Sequence, residues 1–146
     1  VLTVLCSEIR HCAKRQNVSE HFKTTHSLRR NMTIEQIAKA FSNGEFEKTY
    51  DSIAENAEWI VIEESHFKGK QAIVQNCEQV GVYFRSVTTD FKTFNVISDQ
   101  NKVVVNGTAE FIRDNKRVSF VSACDIYEFD NSNKIQRITS YCIPSK

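Results

Sequence analysis

Four β-forming stretches, at about residues 88–98, 102–113, 117–129 and 134–142, follow one another with only Asp99-Gln100-Asn101, Asp114-Asn115-Lys116 and Asn131-Ser132-Asn133 to separate them. The stretches are rich in Val, Ile, Thr, Phe and Tyr, whose branched or flat side chains suit a pleated surface. The Asn, Asp and Ser at the breaks are residues that tolerate tight turns. Connections this short join antiparallel neighbours, because a parallel pair needs a crossover of about a dozen residues or more. The second half of the chain therefore reads as an antiparallel meander.

The segment before it has a different period. Thr33-Ile34-Glu35-Gln36 has the form of a capping box, and Ile34, Ile37, Ala38 and Phe41 recur at helical spacing until Asn43-Gly44 interrupts them. This predicts a first helix over 33–43. A second, over 45–55, would carry Phe46, Tyr50, Ile53 and Ala54 on one face, and a third, over 70–84, is marked by Ile73, Cys77, Val80 and Phe84. Between them Trp59-Ile60-Val61-Ile62 reads as a strand and Glu64-Ser65-His66-Phe67-Lys68-Gly69 as a loop. With 146 residues, 40% of them hydrophobic, the chain suits one domain with a substantial core.

Composition also excludes several classes. No apolar run approaches the ~18 residues of a membrane span. The apolar start Val1-Leu2-Thr3-Val4-Leu5-Cys6 is short and lacks a basic leader or a small-residue cleavage site. The expectation is a soluble, cytoplasmic protein without a membrane partner. Cys6, Cys12, Cys77, Cys124 and Cys142 match neither a zinc pattern nor a disulfide framework, and Cys77, Cys124 and Cys142 lie in apolar segments as small hydrophobes would. His11, His21 and His26 are spaced by ten and five residues, which does not gather them on one helical face, so no metal site is expected.

Charge is unevenly distributed. Residues 1–31 hold six Lys or Arg against Glu8 and Glu20, a balance of +4, which leaves 13 basic and 16 acidic residues, or −3, for the remainder. The composition changes at Met32, the only methionine, so the chain divides into a basic N-terminal extension, 1–31, and a domain, 32–146. The extension is read either as an appendage outside the domain or as a basic arm. Phe22 is its only aromatic and its basic residues are sparse, so nucleic acid is not an expected partner.

One residue conflicts with its surroundings. Asp125 stands in Val118–Phe129, where a strand is half or fully buried and an unpartnered charge costs several kcal/mol. Alternation places it on one face with Val121, Ala123, Tyr127 and Phe129, and puts Phe120, Ser122, Cys124 and Ile126 on the other. Read from the strand alone, it is a buried acid satisfied by a backbone amide or by Arg137 of the neighbouring strand.

The element order and four local phrases resemble the NTF2-like superfamily, in particular its SnoaL-like and ketosteroid-isomerase-like branch. The phrases are Ala40-Phe41-Ser42-Asn43-Gly44-Glu45-Phe46, Ile53-Ala54-Glu55-Asn56-Ala57-Glu58-Trp59, Phe67-Lys68-Gly69-Lys70-Gln71-Ala72-Ile73, and Asp125-Ile126-Tyr127-Glu128-Phe129 followed by Asn133-Lys134-Ile135. The resemblance implies an α+β cone, with three helices packed on a strongly bent, mainly antiparallel sheet around a mostly apolar pocket open at one end. It also implies a homodimer formed through the sheet face.

In the isomerase branch, catalysis rests on an Asp base on the first strand, a Tyr on the first helix and a protonated Asp on a late strand. The late-strand acid corresponds to Asp125, but the base position corresponds to Val61 and the tyrosine position to Ile37. With two of the three groups replaced, the steroid-isomerase reaction in its usual form is not expected. Glu63, two residues beyond Val61, and His66 are the candidates to work with Asp125 as an acid/base set. Trp59, Val61, Ile37, Phe41, Tyr127 and Phe84, with Tyr50 and Tyr83, are the candidate pocket aromatics and apolar liners. The expected function is a pocket protein that binds a small apolar or aromatic molecule without a cofactor. The alternative is a cofactor-independent acid/base enzyme of the isomerase, cyclase, dehydratase or hydrolase type. A protein-partner role as in nuclear transport is a lesser third reading.

Overall fold

The computed structural model describes residues 32–145; the basic extension, with Cys6, Cys12 and its three histidines, lies outside them. Helix α1 (Ile34–Ser42) begins on the expected capping box: the Gln36 amide donates to Thr33 Oγ1 at 3.3 Å and the Thr33 amide to Gln36 Oε1 at 3.0 Å. It stops where Asn43-Gly44 breaks the pattern, with Gly44 at φ +78°, a conformation that glycine alone adopts freely.

The expected second helix does not form. Residues 46–52 make two single 3₁₀ turns, Phe46–Lys48 and Tyr50–Ser52, and the chain enters strand β1 (Ile53–Val61) where the helix was to continue. Thr49 is the pivot: it is fully buried, and its hydroxyl donates to the Phe46 carbonyl at 2.7 Å. Thr, Tyr, Asp and Ser in succession are poor helix formers, whereas Ile53 gains a strand partner in Ile135. The expected loop after β1 is likewise a short strand, β2 (Ser65–Lys68), folded back on β1 so that Phe67 pairs with Trp59. Helix α2 (Lys70–Arg85) then leads into β3 (Thr88–Asp99), β4 (Lys102–Arg113), β5 (Lys116–Phe129) and β6 (Ile135–Pro144).

These strands form the expected meander, and all six make one curved sheet in the order β2-β1-β6-β5-β4-β3, antiparallel except where β1 lies parallel to β6. The β4–β5 turn is Asp114-Asn115, both at positive φ, the two-residue geometry whose twist suits a hairpin. Gly107 on β4 is held to glycine by the bulge opposite it in β3: a Cβ there would meet the Lys92 carbonyl oxygen at 2.1 Å.

Both helices pack on one face of the sheet, the inner one. Ile37 and Phe41 of α1 and Ile73, Cys77, Val80 and Tyr83 of α2 meet Trp59, Val103, Phe111, Val121, Tyr127 and Ile138 there, all of them buried. Burying one large apolar side chain contributes about 1.5–3 kcal/mol, so this layer orients the helices over the sheet. Among the described residues the outer face carries no helix, and Ile97, Tyr141 and Ile143 are exposed on it.

Candidate functional site

β5 alternates as the sequence requires. Val121, Asp125, Tyr127 and Phe129 are buried against the helices, Ala123 is half-buried with them, and Ser122 points outward. Strand register then sets two rows across the inner face. Val61, Ser140, Asp125 and Val105 are successive cross-strand partners, and Trp59, Ile138, Tyr127 and Val103 form the next row. Phe41 lies over the second row, its ring centroid 5.0 Å from that of Trp59 and 6.0 Å from that of Tyr127.

Asp125 is 8% exposed, and its partner comes from the helix layer. Ser42, the last residue of α1, donates from Oγ to Asp125 Oδ2 at 2.7 Å and also meets Tyr127 Oη at 2.6 Å. A hydroxyl has one hydrogen. With that hydrogen on Asp125, Tyr127 is the donor to Ser42, and a directional chain runs from Tyr127 through Ser42 to Asp125. Burial first, and the adjacent Asp125 charge second, push the Tyr127 phenol well above its ordinary range, which keeps it a donor. Beside this chain Trp59 Nε1 donates to Ser140 Oγ at 3.0 Å, so the polar tip of the buried indole is also satisfied.

Among the described residues neither expected satisfier of Asp125 is used. Arg137 is the register partner of Glu128, one position out of phase with Asp125, and so belongs to the outer face. Ser42 and Ser140 are the site residues that sequence reading missed. A serine at a helix end reads as part of a stop signal, and one in a strand as neutral; only the docking of α1 onto β5 and the β5–β6 register bring them to an acid.

The proposed acid/base set is not assembled. Glu63 lies in the tight β1–β2 turn at φ +63°, exposed, rather than continuing the strand alternation. His66 pairs with Ile60, on the face opposite Trp59 and Asp125, and its Nε2 lies 3.2 Å from Glu58 Oε2. The turn reverses the chain directly after Val61, which is why counting two residues onward does not lead back to the inner face.

The open pocket implied by the resemblance is also not present as one space. Asp125 lines two small cavities, of about 20 and 10 Å³, each on the order of a single water. The first lies toward Asn43, Thr93 and Gly107; the second is walled by Phe41, Phe46, Trp59, Phe84 and Ser140. The phenylalanines fill the room. Phe41 and Phe46 meet edge to face at 5.2 Å, and Phe84 stacks on Phe46 at 6.0 Å and on Phe111 at 5.7 Å. Ile37 and Val61 are buried apolar residues of this layer and supply no polar group.

Among the described residues no three His, Cys, Asp or Glu side chains converge as metal ligands would. Cys77, Cys124 and Cys142 form no disulfide among the described residues, and burial raises the thiol of Cys77 most clearly, which leaves little reactive thiolate. No helix among these residues is long and apolar enough to cross a membrane.

Comparison with known proteins agrees with this architecture. The SnoaL-like domain matches residues 34–138. An NTF2-like protein of unknown function from Cytophaga hutchinsonii is 34% identical, over 73% of this chain and 93% of that one, with a TM-score of 0.66. An LEH-like epoxide hydrolase from M. tuberculosis shares the fold at 16% identity, over 75% of this chain and 82% of that one, with a TM-score of 0.59. So does Bal32a from a soil-derived mobile gene cassette, at 21% identity, 75% and 85% coverage and a TM-score of 0.58. No curated protein matches the chain. A domain match over most of the described residues, with a 34% identical structure of the same fold, establishes that this chain belongs to the SnoaL-like family of NTF2-like proteins.

Proposed function

We propose that this protein binds a small apolar or aromatic molecule on the inner face of the sheet, with Asp125 as the polar anchor and Trp59, Phe41, Tyr127 and Phe84 as the apolar surround. The observation that carries the reading is the placement of one buried carboxylate, whose one side-chain hydrogen bond among the described residues comes from Ser42, against two cavities in an otherwise aromatic layer. An ionised carboxylate offers about four acceptor sites, so a single hydroxyl leaves capacity for a ligand donor. Ligand sites commonly combine an apolar lining with a few placed polar groups.

The enzymatic alternative has its own support in the chain from Tyr127 through Ser42 to Asp125, which links a donor and an acceptor across one hydroxyl. In that reading Asp125 exchanges the proton with substrate and Ser42 and Tyr127 position it, without Glu63 or His66. The M. tuberculosis relative is named an epoxide hydrolase, which fits acid/base chemistry on this fold but not a particular substrate here.

A thermal-shift screen of steroid, polyketide, aromatic-acid and fatty-acid compounds against wild type and Asp125→Asn tests both readings. A ligand at about 100 times Kd stabilises by roughly 2.7 kcal/mol. Binding lost in Asp125→Asn supports the anchor, and turnover lost with it supports the enzyme. Stabilisation of both proteins to the same extent removes Asp125 from the site.

The outer face carries a second part of the proposal, self-association. Ile97 is 62% exposed and Ile143 68%, with Tyr141 between their rows, a surface suited to a second copy of the chain. Light scattering should find a dimer that Ile143→Glu converts to monomer. A wild-type monomer at high concentration would remove this part.

A further inference from the structure

Across the Phe46 and Phe84 rings from Asp125 lies a surface groove of about 620 Å³, a size that falls in the range of small-molecule sites. One bank is the pair of 3₁₀ turns, with Glu47 and Tyr50; the other is the outward side of α2, with Glu78, Val82 and Arg85. The groove and the inner cavity beside Asp125 have three lining residues in common: Gly44, Phe46 and Phe84. The two rings, stacked with 20° between their planes, are therefore the partition between them. Gly44 sets where that partition stands, since a Cβ at this position would come within 2.5 Å of the Phe84 ring.

The groove has a polar end and an apolar floor. Glu45 and Lys48 are paired with each other, whereas among the described residues no ion pair engages Glu47 or Glu78. Both carboxylates act on the Tyr50 hydroxyl, which burial and their charge hold in the neutral form. On the facing bank, Arg85 Nη1 lies 3.5 Å from where a Cβ on Gly81 would stand, so its guanidinium rests beside the glycine, and Val82 is 55% exposed. A guanidinium plane and an apolar side chain suit a flat ring.

We propose that this groove is the outer half of the ligand site, that Phe46 and Phe84 are the gate between it and Asp125, and that the ligand is a flat aromatic molecule with a cationic end held by Glu47 and Glu78. This rests on the reading that the inner face binds ligand. Displacing the Phe84 ring joins the groove to the 10 Å³ cavity and brings an aromatic ring against Trp59.

Trp59 is the only tryptophan and lines the inner cavity, so a contact quencher dims its emission only after passing the gate. The probes are 4-nitrobenzylamine and 4-nitrobenzoate, mixed rapidly with the full chain. Phe84→Leu should quicken quenching about tenfold, as removal of a closed state populated at about 90% would. Phe46→Leu should act in the same direction, and the leucines retain enough apolar volume for the fold to be checked by circular dichroism. The amine should quench at lower concentration than the benzoate, and Glu47→Gln with Glu78→Gln should erase that preference. Unchanged quenching rates in both leucine variants would overturn the gate, even if binding still depended on Asp125. Equal or stronger quenching by the benzoate would overturn the cationic end. No quenching by either probe in any of these proteins, together with no Asp125-dependent ligand in the thermal screen, would remove the inner site and the gate together.

Discussion

Two acids in this molecule each have a polar side chain within hydrogen-bonding distance, and they differ in almost everything else. Glu58 meets His66 across the β1–β2 hairpin with both side chains more than a third exposed, whereas Asp125 meets Ser42 beneath a helix at 8% exposure. In solvent the pair competes with water and salt and contributes little. Under α1 the same kind of contact is one that water cannot readily replace, and an unmade bond there costs the desolvation of the group left behind. The residue types alone make the hairpin, with its histidine and neighbouring Glu63 and Glu64, the richer acid/base cluster. Burial makes Asp125 the one with consequences.

Removing the buried contact should have the largest effect. Ser42→Ala strips a partner from both Asp125 and Tyr127 and should destabilise by about 2–3 kcal/mol in urea unfolding. A loss as small as that of a surface substitution would break the contrast. Tyr127→Phe removes one end of the chain and should cost about 1 kcal/mol. It should also change the alkaline limb. Because the folded-state phenol is raised above its ordinary value of about 10, the stability contributed by its neutral form is fully present below about pH 10 and is lost as pH climbs toward the folded value. Stability profiles of wild type and Tyr127→Phe should therefore converge above pH 10.

Asp125→Asn keeps an acceptor for Ser42 while removing a buried charge. Its stability should equal or exceed wild type by up to about 1 kcal/mol, the pattern of a residue kept for function at a cost to the fold. A large loss would mark the carboxylate as structural. His66→Ala should be the mildest, within about 0.5 kcal/mol and smaller still in high salt, since the Glu58 contact is exposed.

Much of the fold was legible because local signals agreed with the tertiary arrangement. The Thr33–Gln36 box, the Asn43-Gly44 stop, the 70–85 helix and the four late strands all formed near their expected bounds. The failure at residues 45–55 came from spacing alone: Phe46, Tyr50 and Ile53 suit a helical face, but Ile53 begins a strand that pairs with β6, a partner some eighty residues away. For the site, alternation along β5 was enough to put Asp125 and Tyr127 inward. It could not identify Ser42, which is brought there by the docking of α1, nor show that the turn at Glu63 would carry Glu63 and His66 away. The pocket was legible only as a list of aromatics. Whether rings surround a space or fill it depends on how they pack, and here Phe41, Phe46 and Phe84 fill most of it.

In the proposed reading the buried acid, not the exposed hairpin, anchors the ligand. Calorimetric titration of the strongest compound from the thermal screen into wild type, Asp125→Asn and the double variant Glu63→Gln/His66→Ala tests it directly. The expected result is affinity weakened by about tenfold or more in Asp125→Asn, equivalent to about 1.4 kcal/mol, with the hairpin variant binding as wild type. Wild-type affinity in Asp125→Asn, with binding lost in the hairpin variant, would contradict it.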